Sequence, residues 1–269
     1  MTDLALLLPP LAAGWLALIS HVPLGRQVLR RGIVFIDLAI AQVASLGVLT
    51  AQALLHRWHH GDQPHHHAHA HDEPAWLLAA ATAGAALAGV AAVAWLARAW
   101  PQRQEALIGL LYVGAASLAM VLVSADPHGA QRLAALLSGD VLWATWPALL
   151  PLAAATAAFA ALLRWRPALL QGEAAFYGSF ALLVSLSLPL LGLYLVFATL
   201  IVPALVAQRH PACAMRWALA VGTLGYAGGL LLSWHLDWPS GPSVVLALIA
   251  LGAVALAVPP RPSPADNGA

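Results

Sequence analysis

WLLAAATAGAALAGVAAVAWLA, Trp76–Ala97, runs for 22 residues without a charged side chain. About 20 apolar residues are needed to cross a hydrocarbon core of about 30 Å as a helix. A second run, Val244–Val258, approaches that length. The rest of the 269-residue chain is of the same kind, 61% hydrophobic and 9% charged, with a mean hydropathy of +0.81. Soluble domains carry about 25% charged residues. A chain this poor in charge cannot cover a globule against water, so the sequence predicts an all-α, polytopic transmembrane bundle.

Breakers between the apolar runs give nine candidate helices: 4–22, 33–55, 75–99, 105–124, 141–163, 176–189, 191–207, 212–234 and 243–258. Helices are expected because lipid offers backbone polar groups no partner. The sixth and seventh are short and are separated by Pro189 and Gly192. They are read as a tight or partly re-entrant hairpin, which leaves the span count at eight or nine. A short amphipathic helix is expected near Gln131–Leu137. The first segment, Leu4–Ser20, has no basic residue ahead of it and no A-x-A-like cleavage site after it, and is expected to remain as a span.

The twelve basic residues are all arginine. With the N-terminus outside and the C-terminus inside, ten of them face the cytoplasm and only Arg57 and Arg132 face outward, a strong positive-inside bias. One transmembrane domain is expected over residues 1–258. It would include an external His-rich loop at 56–74 and a short cytoplasmic loop at 164–175, with a polar, Pro-rich, disordered tail at 259–269. A net charge of +1 leaves no nucleic-acid footprint. The single cysteine, Cys213, cannot form an internal disulfide.

HRWHHGDQPHHHAHAH, His56–His71, holds eight histidines: His56, His59, His60, His65, His66, His67, His69 and His71. Imidazole is the commonest protein ligand for transition metals of the zinc and copper type, and such a tract reads as external metal capture. The bland alternative is a solubilising loop with incidental affinity. His128, beside Asp126 in the next external loop, is a further capture candidate. Asp37 lies inside the second candidate helix, and an acid in that position marks an ion or substrate path. Its bland alternative is a pairing with Arg30 or Arg31 at the interface. Gln42 follows five residues later and shares the helix face only loosely. His21 and the pair His235 and Asp237 read as interfacial polar residues before ligands. The sequence has no G-x-x-x-x-G-K-[ST] phosphate loop, no H-E-x-x-H and no G-x-S-x-G. ATP hydrolysis by a phosphate loop, zinc proteolysis and serine hydrolysis therefore have no motif here.

Five segments in order resemble the membrane permease subunits of bacterial zinc/manganese ABC importers, the ABC-3 family. They are LGRQVLRRGIVFIDLAIAQVASLGV (Leu24–Val48), EALIGLLYVGAASLAMVLVS (Glu105–Ser124), LLSGDVLWAT (Leu136–Thr145), LVFATLIVPALVAQR (Leu195–Arg209) and GPSVV (Gly241–Val245). The resemblance implies a multi-pass protein of the bacterial cytoplasmic (inner) membrane, working as a homodimer with the translocation path at the dimer interface. Cytoplasmic ATP-binding subunits would drive it and an external metal-binding protein would supply it, so the chain itself would not be an enzyme. Zn²⁺ or Mn²⁺ would pass through as cargo, with no permanently bound cofactor. Asp37 matches the family's path Asp. The family's path His falls on Ala41 or Gln42, so that imidazole is missing. The loop 164–175 is shorter than the family's ATPase-docking helix, and Gln171, Gly172, Glu173 and Ala174 stand where that contact would be. A second reading is a self-sufficient secondary metal carrier or efflux protein, which would carry several intramembrane ligands where only Asp37 is found. A third is a membrane metal sensor or scaffold without transport.

Overall fold

The computed structural model describes residues 4–59, 75–99, 104–124, 129–139, 141–166, 168 and 172–259. The His-rich stretch from His60 onward, Asp126 and His128, Gln171 and nearly all of the polar tail lie outside the described residues. Among the described residues there are ten α-helices and no strand: α1 (Leu8–Arg31), α2 (Ile36–His59), α3 (Ala75–Ala99), α4 (Gln104–Ser124), α5 (Gly129–Ser138), α6 (Trp146–Trp165), α7 (Glu173–Leu191), α8 (Leu193–Arg209), α9 (Ala214–Leu236) and α10 (Ser240–Ala257). Short 3-10 turns precede α1, α6 and α9. Five helices, α1, α6, α7, α9 with its leading turn, and α10, are long and apolar enough to cross a bilayer. Shorter apolar stretches of 10–17 residues lie in α2, α3, α4 and α8. These are the nine segments expected, and α5 is the short amphipathic helix.

Two differences from the expected boundaries have local causes. The first span was expected to stop before Pro23, yet α1 runs through it for eight more residues and ends at Gly32. Proline removes one helix hydrogen bond, a loss that membrane helices tolerate when neighbours compensate. The true stop is Gly32, whose left-handed conformation (φ 67°) lets its N–H reach the Leu29 and Val28 carbonyls. The sixth span is also longer than its apolar core suggested, at 19 residues, while the seventh keeps its expected length of 17 and starts two residues later. Pro189 sits inside α7 and does not end it. Gly192 alone joins α7 to α8, at φ 76° and ψ 163°, a region essentially reserved for glycine.

The chain divides into two compact units, residues 1–34 with 135–269, and residues 35–134. In the first, α1 packs on α6, α7, α8 and α9, while α10 packs on α8 and α9. Lipid tails are as apolar as leucine, so burial gives helices little reason to associate in a membrane; close backbone approach at small residues does more. Gly14 and Gly222 place α1 antiparallel to α9, against the Tyr226 ring and the Leu18 side chain respectively. Gly225 and Gly229 receive Leu248 and Val244 of α10. In the middle of this unit the Tyr226 hydroxyl and Thr199 Oγ1 are 2.7 Å apart, and Thr199 donates to the Leu195 carbonyl.

At the opposite end from the arginines the same unit has a junction with no side chains. Gly139, also left-handed (φ 63°), lies backbone to backbone against Leu191 and Gly192, and Gly241 lies against the Ser138 carbonyl. The segments around Gly139 and Gly241, far apart in sequence, therefore meet at the α7–α8 joint. The second unit is α2 packed against both α3 and α4, with Gly89 of α3 opposite Val43 of α2.

Gly192→Ala adds a methyl group to a conformation it disfavours and drives it into the Gly139 backbone, a loss of about 1–3 kcal/mol or more. Gly178→Ala on α7 meets nothing within 4 Å and gains up to about 1 kcal/mol of helix propensity. Thermal unfolding in detergent is expected to show Gly192→Ala well below the parent and Gly178→Ala at or above it.

Candidate functional site

Asp37 sits in the first turn of α2, where the helix dipole favours a carboxylate. It is 0% exposed, and neither carboxylate oxygen has a hydrogen-bond partner. The pairing with an interfacial arginine that would have explained it as structure is therefore absent among the described residues. Gln42 is 3% exposed with its Oε1 unpartnered, and Ser45 is 2% exposed with its Oγ unpartnered. At about 100° per residue, Ser45 lies about 80° round the helix from Asp37 and about 60° from Gln42. It bridges the two positions that the sequence placed only loosely together. Ala41, one turn from Asp37 and fully buried, adds no bulk between them. The result is a strip of oxygen donors on one helix, each buried and none bonded. A buried polar group without a partner costs about 1–3 kcal/mol, and such groups in native structures call for a functional explanation.

Ser45 was missed because a lone serine in an apolar helix ordinarily bonds back to its own backbone. Ser185, Ser187 and Thr199 do so at 2.6–2.7 Å. The signal was spacing: positions 37, 42 and 45 were the polar residues of an otherwise apolar stretch. Glu105 was also missed. It lies in the first turn of α4, and its Oε1 accepts a hydrogen bond from the Phe35 N–H at 3.4 Å, while its Oε2 is buried without a partner. This ties the start of α4 to the residue before α2, two positions from Asp37.

His21 is not at the end of a span as expected but well inside α1, and it is fully buried. Its Nδ1 lies 3.0 Å from the Ala17 carbonyl and 2.9 Å from Ser20 Oγ, and its Nε2 has no partner. A ring donating from Nδ1 to a carbonyl leaves a lone pair on Nε2. It belongs to the other compact unit from Asp37. His235 and Asp237 have a structural explanation. His235 lies in the last turn of α9, and Asp237 is its left-handed C-cap (φ 51°), bonded to the Ser233 carbonyl.

Of the histidines expected to capture metal, His56 and His59 fall on the last turn of α2. His60, His65, His66, His67, His69, His71 and His128 lie outside the described residues, as does Gln171. Gly172, Glu173 and Ala174 are exposed, with Gly172 at the N-cap of α7 and Glu173 in its first turn. One turn on, the Arg31 guanidinium lies 4.3 Å from the centroid of the Phe176 ring, a contact of cation–π geometry. That contact joins the end of α1 to the start of α7. Among the described residues no group of three or more His, Cys, Asp or Glu side chains could hold a metal ion.

Long apolar helices, exposed leucines and valines such as Leu110, Val121, Leu150, Leu246 and Val254, and a buried oxygen strip define a multi-pass membrane transport protein. The ABC 3 transport family model matches residues 5–171 and 170–258, and the chain belongs to that family, whose members are multi-pass proteins of the inner membrane. Over 69 residues it is 38% identical to the high-affinity zinc uptake system membrane protein ZnuB of Haemophilus influenzae. That match covers 24% of this chain and only 26% of the relative's length. The structure of PsaBC from Streptococcus pneumoniae in complex with Fab superposes with a TM-score of 0.68 at 16% identity, covering 95% of this chain and 92% of that one. This second likeness is one of fold.

Replacing Asp37 by leucine removes an unpartnered buried carboxyl and is expected to raise the stability of the purified protein by about 1–3 kcal/mol. The readout is the thermal midpoint. A fall comparable to that of an ordinary core substitution would mean that Asp37 holds the fold together.

Proposed function

We propose that the chain is the membrane permease subunit of an ATP-driven divalent-metal importer, carrying zinc in the first instance. The single observation behind this is the fully buried and unbonded Asp37 carboxylate in the first turn of α2. Its neighbours Gln42 and Ser45 offer two further oxygens. Family membership and the likeness to a zinc-uptake membrane protein support the cargo class. The nucleotide motifs that the sequence lacks would then belong to cytoplasmic ATP-binding subunits.

In this reading two copies of the chain form the path at a twofold interface, and an external metal-binding protein delivers the ion. The histidine tract and His128 hold metal outside. ATP binding and hydrolysis on the partner open the path alternately to each side. Asp37 attracts the cation on its way, and a single carboxylate with neutral oxygens releases it as readily as it binds it. Weak sites are what conduction needs, since a tight site would hold its ion. Gly172, Glu173 and Ala174, with Gln171, form the contact with the ATPase. The Arg31–Phe176 contact is a direct mechanical connection from that loop to the end of α1. Manganese is the alternative cargo, favoured by the all-oxygen character of the strip. The secondary-carrier reading needs several intramembrane ligands together, and the lone acid of α2 does not favour it.

Metal uptake into vesicles holding the complete transporter is expected to require ATP and to drop to the level of protein-free vesicles with Asp37→Ala, while the ATPase still co-purifies. Unchanged uptake by Asp37→Ala would remove Asp37 from the path. Uptake by the isolated chain under a proton gradient would point to the carrier reading instead.

A further inference from the structure

α1 and α6 pack together, and between their arginine-bearing ends lies a cavity of about 150 Å³ lined by Pro23, Arg26, Gln27, Arg30 and Leu163. Arg26 and Arg30 are one turn apart on one face of α1. Neither makes a hydrogen bond or ion pair with a described residue, and no acid among the described residues lines the cavity. The lining is almost wholly carbon, given by side-chain stems with Pro23 and Leu163, and two guanidinium groups, each with five donors in a planar fork, are carried on those stems together with the Gln27 amide. That is a donor set for a phosphate or carboxylate oxygen cluster. Small-molecule pockets run to about 300–1,000 Å³, so the space is too small for a nucleotide.

The surroundings identify the anion. Pro23 lies about 10 Å deeper along α1 than Arg30, so the wall of the cavity is the flank of the helix and not its tip. Its apolar members, Pro23 and Leu163, sit beside its cationic ones, the arrangement an amphiphile requires. Two residues past Leu163, Trp165 ends α6 with 78% of its surface exposed, between the exposed Arg164 and Arg166. Exposed tryptophan at a span end marks the headgroup level. Arginine-bearing clefts between spans at that level take anionic headgroups. A protein docking from the aqueous side would meet Arg166 and the exposed start of α7 first.

We propose that this flank of α1 and α6 binds the phosphate of an anionic phospholipid. The phosphodiester lies between Arg26 and Arg30 and the glycerol rests on Pro23 and Leu163. The site stands apart from the transport reading. Which leaflet supplies the lipid follows from the proposed orientation, the cytoplasmic one if the arginine-bearing ends face inward, and labelling of single cysteines from either side tests that separately.

The full chain, reconstituted in nanodiscs of phosphatidylcholine with phosphatidylglycerol, is expected to carry phosphatidylglycerol into native mass spectrometry. Arg26→Gln with Arg30→Gln should weaken that retention about thirtyfold, Arg26→Lys with Arg30→Lys should weaken it less, and Arg209→Gln with Arg216→Gln should leave it intact. A diazirine-bearing phosphatidylglycerol should crosslink the wild-type chain at Pro23–Arg30 and Leu163, a readout that needs no variant to fold. Equal retention by the Gln pair, or crosslinks spread evenly over the lipid-facing helices, would overturn the proposal. Displacement of the lipid by inorganic phosphate would make this a site for a soluble anion, and displacement by the ATP-binding subunit would make it a protein contact. Either result would also overturn it.

Discussion

A peptide N–H or carbonyl in hydrocarbon has nothing to bond to except its own chain. That constraint makes each span helical, and it extends to side chains. Ser20, Ser185, Ser187, Thr199 and Ser243 each give their hydroxyl to a carbonyl four residues back or nearby. Ser233 closes the end of α9 by bonding to the Trp238 carbonyl. Against this background the oxygens of Asp37, Gln42 and Ser45 stand out. They obey no local bonding rule, and they share one helix. The unbonded strip on α2 costs stability that the rest of the chain must offset. A transport protein has reason to keep such a cost where a cation must be met and let go.

The unit that holds α1 and α6 to α10 offsets it through close packing. Its helices approach at glycine, and rings or branched side chains fill the facing positions, as Tyr226 does at Gly14. Its arginine-bearing end is more open. There Arg31 lies against Phe176, His210 stacks on Trp217 at 4.4 Å between ring centroids, and His210 Nε2 lies 2.9 Å from the Ala255 carbonyl. The two ends thus differ in chemistry. One is backbone against backbone; the other is charge and aromatic ring, where a partner or a lipid can bond.

Apolar run length located the helices well, because length in lipid is a physical requirement. The apolar run predicts a third span over Ala75–Ala99, and the helix has those bounds. Breakers were less reliable. Pro23 and Pro189 look like ends in the sequence, but both lie inside helices, and the ends are set by Gly32 and Gly192. A left-handed glycine stops a helix by redirecting the chain, whereas a membrane proline only forfeits one bond. Asp37 was legible as a buried acid because charge in lipid is rare. Ser45 and Glu105 were not, since their significance lies in a bond not made and a bond made across helices. The role of Asp237 as a helix cap was likewise invisible, because it depends on a backbone angle.

Gly139, Gly192 and Gly241 meet through their backbones. Where main chain rests on main chain, no rotamer can adjust, and there is no larger or smaller residue with which to tune the fit. Such a contact acts as a fixed bearing. The ends of α5, α7, α8 and α10 are pinned to one another there, and whatever tilting the helices undergo must be taken up farther along their lengths, toward the end where rings and guanidinium groups can slide.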